Sequence, residues 1–184
     1  MVFGVRTLWR LTGLIAVFSA WTTIFLSVSK NPWFNVFKHA LSDLGGPRAV
    51  DPWIYNVGLI VTGALASTYA TYLAKTSTSK ISTYASSFIF IAGIFLALIG
   101  LFPSGTRPHV FVSTWFFIQM WMALVASTID FLFKKQLIPG LTLLSLSIIG
   151  PLGALLVKWP SVALLEIYGI IIINAYVTVL TRKF

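Results

Sequence analysis

The chain has no cysteine, only two histidines and only four acidic residues among its 184 positions. Without cysteine, disulfides, thiolate nucleophiles and Cys-ligated metal are excluded. Charge is also scarce, at 9% of residues against 58% hydrophobic, where soluble domains run at about 25% and about 45–50%. No HExxH, GxSxG or phosphate-cradling glycine loop occurs. Alternating ten-residue strands of the outer-membrane barrel type are absent as well. The composition is that of a helical membrane protein.

Apolar runs of roughly 20 residues recur, each long enough to cross about 30 Å of hydrocarbon as a helix. Six spans are expected, near 8–28, 53–74, 81–102, 110–133, 137–157 and 161–181. The fold class is therefore all-α, one six-helix transmembrane bundle over 1–184 without a soluble domain. The first span, LWRLTGLIAVFSAWTTIFLSV, continues well past the 7–15 apolar residues of a signal-peptide core, so it is expected to be a true span. Small residues on the second helix (Gly58, Thr62, Gly63, Ser67) and the third (Ser82, Ser86, Gly93, Ala97, Gly100) permit close helix approach.

Net charge is +9. The basic residues stand singly or in pairs at span ends, as topology determinants and lipid contacts do, so nucleic acid is not an expected partner. Arg6, Arg10, Lys75, Lys80, Lys134, Lys135, Arg182 and Lys183 fall on one side; Lys30, Lys38, Arg48, Arg107 and Lys158 fall on the other. Eight against five predicts a multi-pass cell-membrane protein with both termini cytoplasmic.

The first connection, SKNPWFNVFKHALSDLGGPRAVD, is the longest. Asn31-Pro32 reads as a helix start and Gly45-Gly46 as a stop. Phe34, Phe37, Leu41 and Leu44 make an apolar stripe opposite Asn35, Lys38, His39, Ser42 and Asp43, which predicts a short amphipathic interfacial helix over 32–44.

On this topology the chemically capable residues gather on one side. His39, Ser42 and Asp43 lie in the first connection, and Asn56 starts the second span. Arg107 and His109 sit in LFPSGTRPH, and Glu166 is about five residues into the last span. Both histidines and three of four acids share that side; only Asp130 is opposite, with Lys134 its expected partner. A carboxylate inside a span is costly and normally faces a bundle interior or a wet cavity. One shared pocket is expected, with Glu166 touching Asn56 or His109 directly or through a single water and with Asp43 in the same wall.

ALSDLGG, PWIYNVGLIVTG, LFPSGTRPH and the final-span glutamate together resemble the domain-of-unknown-function 998 family of small polytopic archaeal and bacterial membrane proteins. Ser42, Asp43, Asn56, His109 and Glu166 match that family's motif positions, while Tyr55 replaces its usual Phe. The resemblance implies a site without implying an activity.

The expected function is an outward-facing polar pocket that binds or processes a lipid-like or small amphipathic molecule, by hydrolysis or group transfer if it is an enzyme. Asp43, His109 and Glu166 are the catalytic candidates; His39, Ser42, Asn56 and Arg107 are the binding candidates. No cofactor is specified and no metal site is assigned, since two histidines would need Asp43 or Glu166 as a third ligand. Membrane lipids are the expected partners. The competing reading is a non-catalytic, proton-responsive transporter-like, sensory or scaffold protein.

Overall fold

The computed structural model describes the backbone of residues 2–183 and the side chains from residue 7 onward, so Arg6 falls outside the described side chains. Six α-helices form it: α1 (Val2–Lys30), α2 (Pro52–Thr76), α3 (Lys80–Leu101), α4 (His109–Phe133), α5 (Leu137–Leu156) and α6 (Val162–Lys183). All six are long and apolar enough to cross a membrane, and no strand occurs among the described residues. The protein is a multi-pass membrane protein. The expected spans hold to within a few residues, with α1 starting six residues earlier than expected.

Local chemistry sets the helix ends. Ser79 caps α3, its hydroxyl accepting from the Ser82 amide at 3.0 Å. Lys135 adopts a left-handed conformation (φ 57°) after α4. This lets Lys135 N bond Leu132 O and Gln136 N bond Phe131 O, the paired C-terminal closure of a Schellman turn. Pro52 occupies the first turn of α2, where a missing N–H costs nothing.

Consecutive helices are neighbours, and α6 returns to pack on both α1 and α5, closing a ring. The α2–α3 seam is the tightest. A Cβ on Gly63 would strike Gly93 O, and one on Gly93 would come within 2.7 Å of Gly63 O. These two glycines are required by the approach of the two backbones. At the end of the bundle shared by the termini, Asp130 pairs with Lys134 at 2.7 Å as expected and also accepts from the Ser79 hydroxyl.

The first connection departs from the expected amphipathic helix. Residues 32–39 run as turns, and only Leu41–Gly45 is helical, as a single short 3₁₀ segment, η1. Side chains take the amides that a helix would have used. Asn35 Oδ1 accepts from Phe37 N at 2.9 Å, His39 Nδ1 from Asn35 N at 2.9 Å, and Asp43 Oδ2 from Ala40 N at 2.9 Å. The apolar stripe is divided too: Leu41 and Leu44 are buried, whereas Phe37 is exposed.

Asn31 closes this connection at its base and is 1% exposed. Its Nδ2 donates to Ser27 O (2.8 Å) and Val50 O (3.2 Å). Its Oδ1 accepts from Val50 N (2.7 Å) and Trp33 Nε1 (2.8 Å). One amide thus joins the end of α1 to the residues just before α2.

Candidate functional site

The η1 segment is the meeting point of three distant parts of the chain. Glu166 Oε2, on α6, accepts from Leu41 N at 2.6 Å. Asp43 caps the same turn through Ala40 N, and its other oxygen accepts from the Ser104 hydroxyl at 3.2 Å, which ties η1 to the α3–α4 junction. Asn56 Nδ2, on α2, donates to Gly45 O at 3.0 Å. Gly45 has no side chain for a steric reason: a Cβ there would occupy the place of Asn56 Oδ1. Two further bonds lay the connection over the start of α6. Ala163 N donates to His39 O at 2.9 Å, and the Ser161 hydroxyl donates to Val36 O at 2.5 Å. They use an amide and a capping residue that a helix N-terminus leaves available.

Beneath η1, the helices α4, α5 and α6 stand apart around a cleft of about 660 Å³. Its walls run along α4 from His109 to Leu124, a length of about 22 Å at 1.5 Å per residue. The polar lining is concentrated at the η1 end, in Ser42, His109, Ser113, Thr114 and Glu166; toward the other end come Trp121, Leu124, Ile172 and Tyr176. A smaller cavity of about 120 Å³ adjoins at Ser42, Ser113 and Glu166 and reaches Tyr69 and Asn174 inside the ring.

Pro151 lies inside α5 and brings no N–H to its helical acceptor, the Ser147 carbonyl. Trp121 Nε1 from α4 donates to that carbonyl at 3.0 Å. From α6, the Tyr168 hydroxyl donates to Ile149 O at 2.5 Å, in space that Gly153 leaves open. Two aromatic side chains therefore hold α4 and α6 to α5 through backbone carbonyls, and the cleft lies between these struts.

The candidate residues separate into two groups. Ser42, His109 and Glu166 share the cleft. His109 Nδ1 lies 2.8 Å from Phe102 O. A carbonyl only accepts, so Nδ1 carries the proton and Nε2 of the neutral ring is an acceptor. Asp43 is outside the cleft lining, although Asp43 and Glu166 engage consecutive backbone amides, which keeps the engaged carboxylate oxygens within about 9 Å of each other. Asn56 is held at Gly45, and its Oδ1 is buried without a partner among the described residues. His39 packs on Trp33 and Phe34 with ring centroids 5.2 and 5.8 Å away. Arg107 is exposed. Among the described residues Glu166 makes no direct hydrogen bond to Asn56 or His109; its Oε2 takes the Leu41 amide, which η1 presents to it.

Asn31, Trp121 and Tyr168 were not singled out in the sequence. Asn31 was visible only as half of an Asn-Pro helix-start signal, and nothing local marks the two aromatics among fifteen Phe, seven Trp and six Tyr.

A ring of six spans with a polar-headed cleft beneath a clasped loop defines a multi-pass α-helical membrane protein. The chain belongs to the DUF998 family, described as proteins of unknown function, whose model matches residues 14–183. No curated protein and no solved structure matches it.

Proposed function

We propose that this protein binds an amphiphile in the cleft between α4, α5 and α6, with the headgroup at Ser42, His109 and Glu166 and the apolar part alongside Trp121, Leu124 and Tyr176. The observation that carries the reading is the gradient along the lining, polar at the η1 end and apolar beyond. The volume falls in the range of small-molecule sites, about 300–1,000 Å³. The depth supports the same reading: about 22 Å along α4 corresponds to one leaflet including its headgroup layer, half of about 40–45 Å.

Native mass spectrometry of the purified protein should show one retained amphiphile per chain. Ala154 lines the cleft, so Ala154→Trp should fill it and shed that ligand. Undiminished binding in this variant would place the ligand elsewhere.

The eight-to-five basic bias toward the side that carries the chain ends supports an outward orientation for the polar end of the cleft. Cysteines at Ser29 and Ser77 in this cysteine-free chain can be probed with an impermeant thiol reagent on intact cells. Position 29 should label and position 77 should not; the reverse would turn the headgroup site toward the cytoplasm.

A further inference from the structure

The headgroup class follows from an inventory of hydrogen-bond donors and acceptors in the cleft, and it rests on the amphiphile reading. Thirteen Lys and Arg residues occur in the chain, yet none of those with described side chains lines the cleft. The donors that the lining could offer are largely committed to backbone carbonyls. Trp121 Nε1 goes to Ser147 O, the Tyr168 hydroxyl to Ile149 O, the Ser113 hydroxyl to His109 O at 2.8 Å, and His109 Nδ1 to Phe102 O. The early amides of α6 are committed as well, Ala163 N to His39 O and Leu164 N to Ser161 Oγ, so the helix start is not an open anion cradle. Apart from the Tyr176 hydroxyl, which pairs with the Ser127 hydroxyl at 2.7 Å toward the far end of the cleft, the Ser42 and Thr114 hydroxyls are the side-chain donors that remain among the described residues.

Acceptors remain in excess. Glu166 spends Oε2 on Leu41 N and has no partner for Oε1 among the described residues. The one salt bridge among the described residues is Lys134–Asp130, at the opposite end of the bundle. His109 contributes the Nε2 lone pair, and the spent hydroxyls of Ser113 and Tyr168 still carry lone pairs. Phe117 and Tyr168 add aromatic rings to the lining, and the face of such a ring attracts cations. A phosphate or carboxylate headgroup would find few donors here and would face a carboxylate. A protonated amine brings up to three donors and a positive charge to the same place.

We propose that the cleft selects cationic amphiphiles, molecules with an apolar body and a protonated amine headgroup that Glu166 receives. The test uses three probes of equal chain length: dodecylamine, dodecanol and dodecyl phosphate. Each is titrated calorimetrically into phosphatidylcholine nanodiscs holding the full chain, with empty nanodiscs as the blank. Dodecylamine should bind about tenfold or more tightly than the other two, the usual size of a charge-assisted hydrogen bond. In Glu166→Gln, whose amide oxygen still accepts from Leu41 N, the amine should fall to the level of the alcohol. Equal or tighter binding of dodecyl phosphate, or an amine preference that survives Glu166→Gln, overturns the headgroup assignment and leaves the amphiphile reading standing. Absence of saturable binding by all three overturns both.

Discussion

Asn31→Leu is expected to destabilise the protein by about 3 kcal/mol and to loosen the whole first connection. The substitution keeps the branched shape, with bulkier methyl groups in place of the amide, and removes four hydrogen bonds made by one buried side chain. Val50 N and Trp33 Nε1 lose their acceptor, while Ser27 O and Val50 O lose their donor. An unmet buried polar group costs about 1–3 kcal/mol, and because Val50 is exposed and Trp33 only half-buried, water meets part of the loss and keeps the total below the sum over four such groups. Asn31→Asp should retain part of the stability, because a carboxylate still accepts from Val50 N and Trp33 Nε1. Asn35→Ala is the control: Asn35 is exposed and its side chain organises only its own turn. Thermal unfolding in detergent, followed by tryptophan fluorescence, measures all three. If Asn31→Leu unfolds with Asn35→Ala, the amide does not hold the connection in place.

The second large effect concerns Glu166 and depends on which of two opposing terms is greater. Replacing a carboxylate by leucine inside a span removes a desolvation cost of about 2.5–3.5 kcal/mol at the bilayer centre, and less toward the interface. Glu166 sits one turn into α6 and faces a cleft, so this relief is small. Against it stands the bond to Leu41 N at 2.6 Å, whose loss would leave a part-buried amide unmet at about 1–3 kcal/mol. The bond prevails, so Glu166→Leu should destabilise by about 1–2 kcal/mol, and Glu166→Gln should stay near the parent. Hydrogen exchange at the Leu41 amide separates the two variants directly: fast in Leu, protected in Gln. Equal protection in both would mean that the carboxylate does not anchor η1.

The spans were legible because lipid imposes a length, and the apolar runs had that length. The Asp130–Lys134 pair and the small residues of the α2–α3 seam were legible because helical spacing fixes neighbours. The connection was misread where Asn31, Asn35 and Asp43 compete for backbone amides. Each can take an N–H that helix formation would need, and apolar periodicity does not register that competition. The gathering of Ser42, Asp43, Asn56, His109 and Glu166 at one end was also legible. Their division was not: Asp43 and Asn56 hold η1, Ser42 and His109 line the cleft, and Glu166 does both. That division depends on where Gly45 and the Leu41 amide lie in space. The cleft itself was invisible in the sequence, because its width is set by Trp121 and Tyr168 reaching carbonyls on another helix.

The central claim is that an amphiphile lies along α4 with its head under η1. Two photoreactive amines of equal length, one with its diazirine beside the headgroup and one with it at the chain end, test this most directly. After irradiation in nanodiscs and proteolysis, the head probe should mark residues around Ser42, His109 and Val162. The tail probe should mark those around Trp121, Leu124 and Tyr176. Labelling by both probes spread over the outer faces of α1 and α3, or a head and tail pattern reversed along α4, would contradict the account.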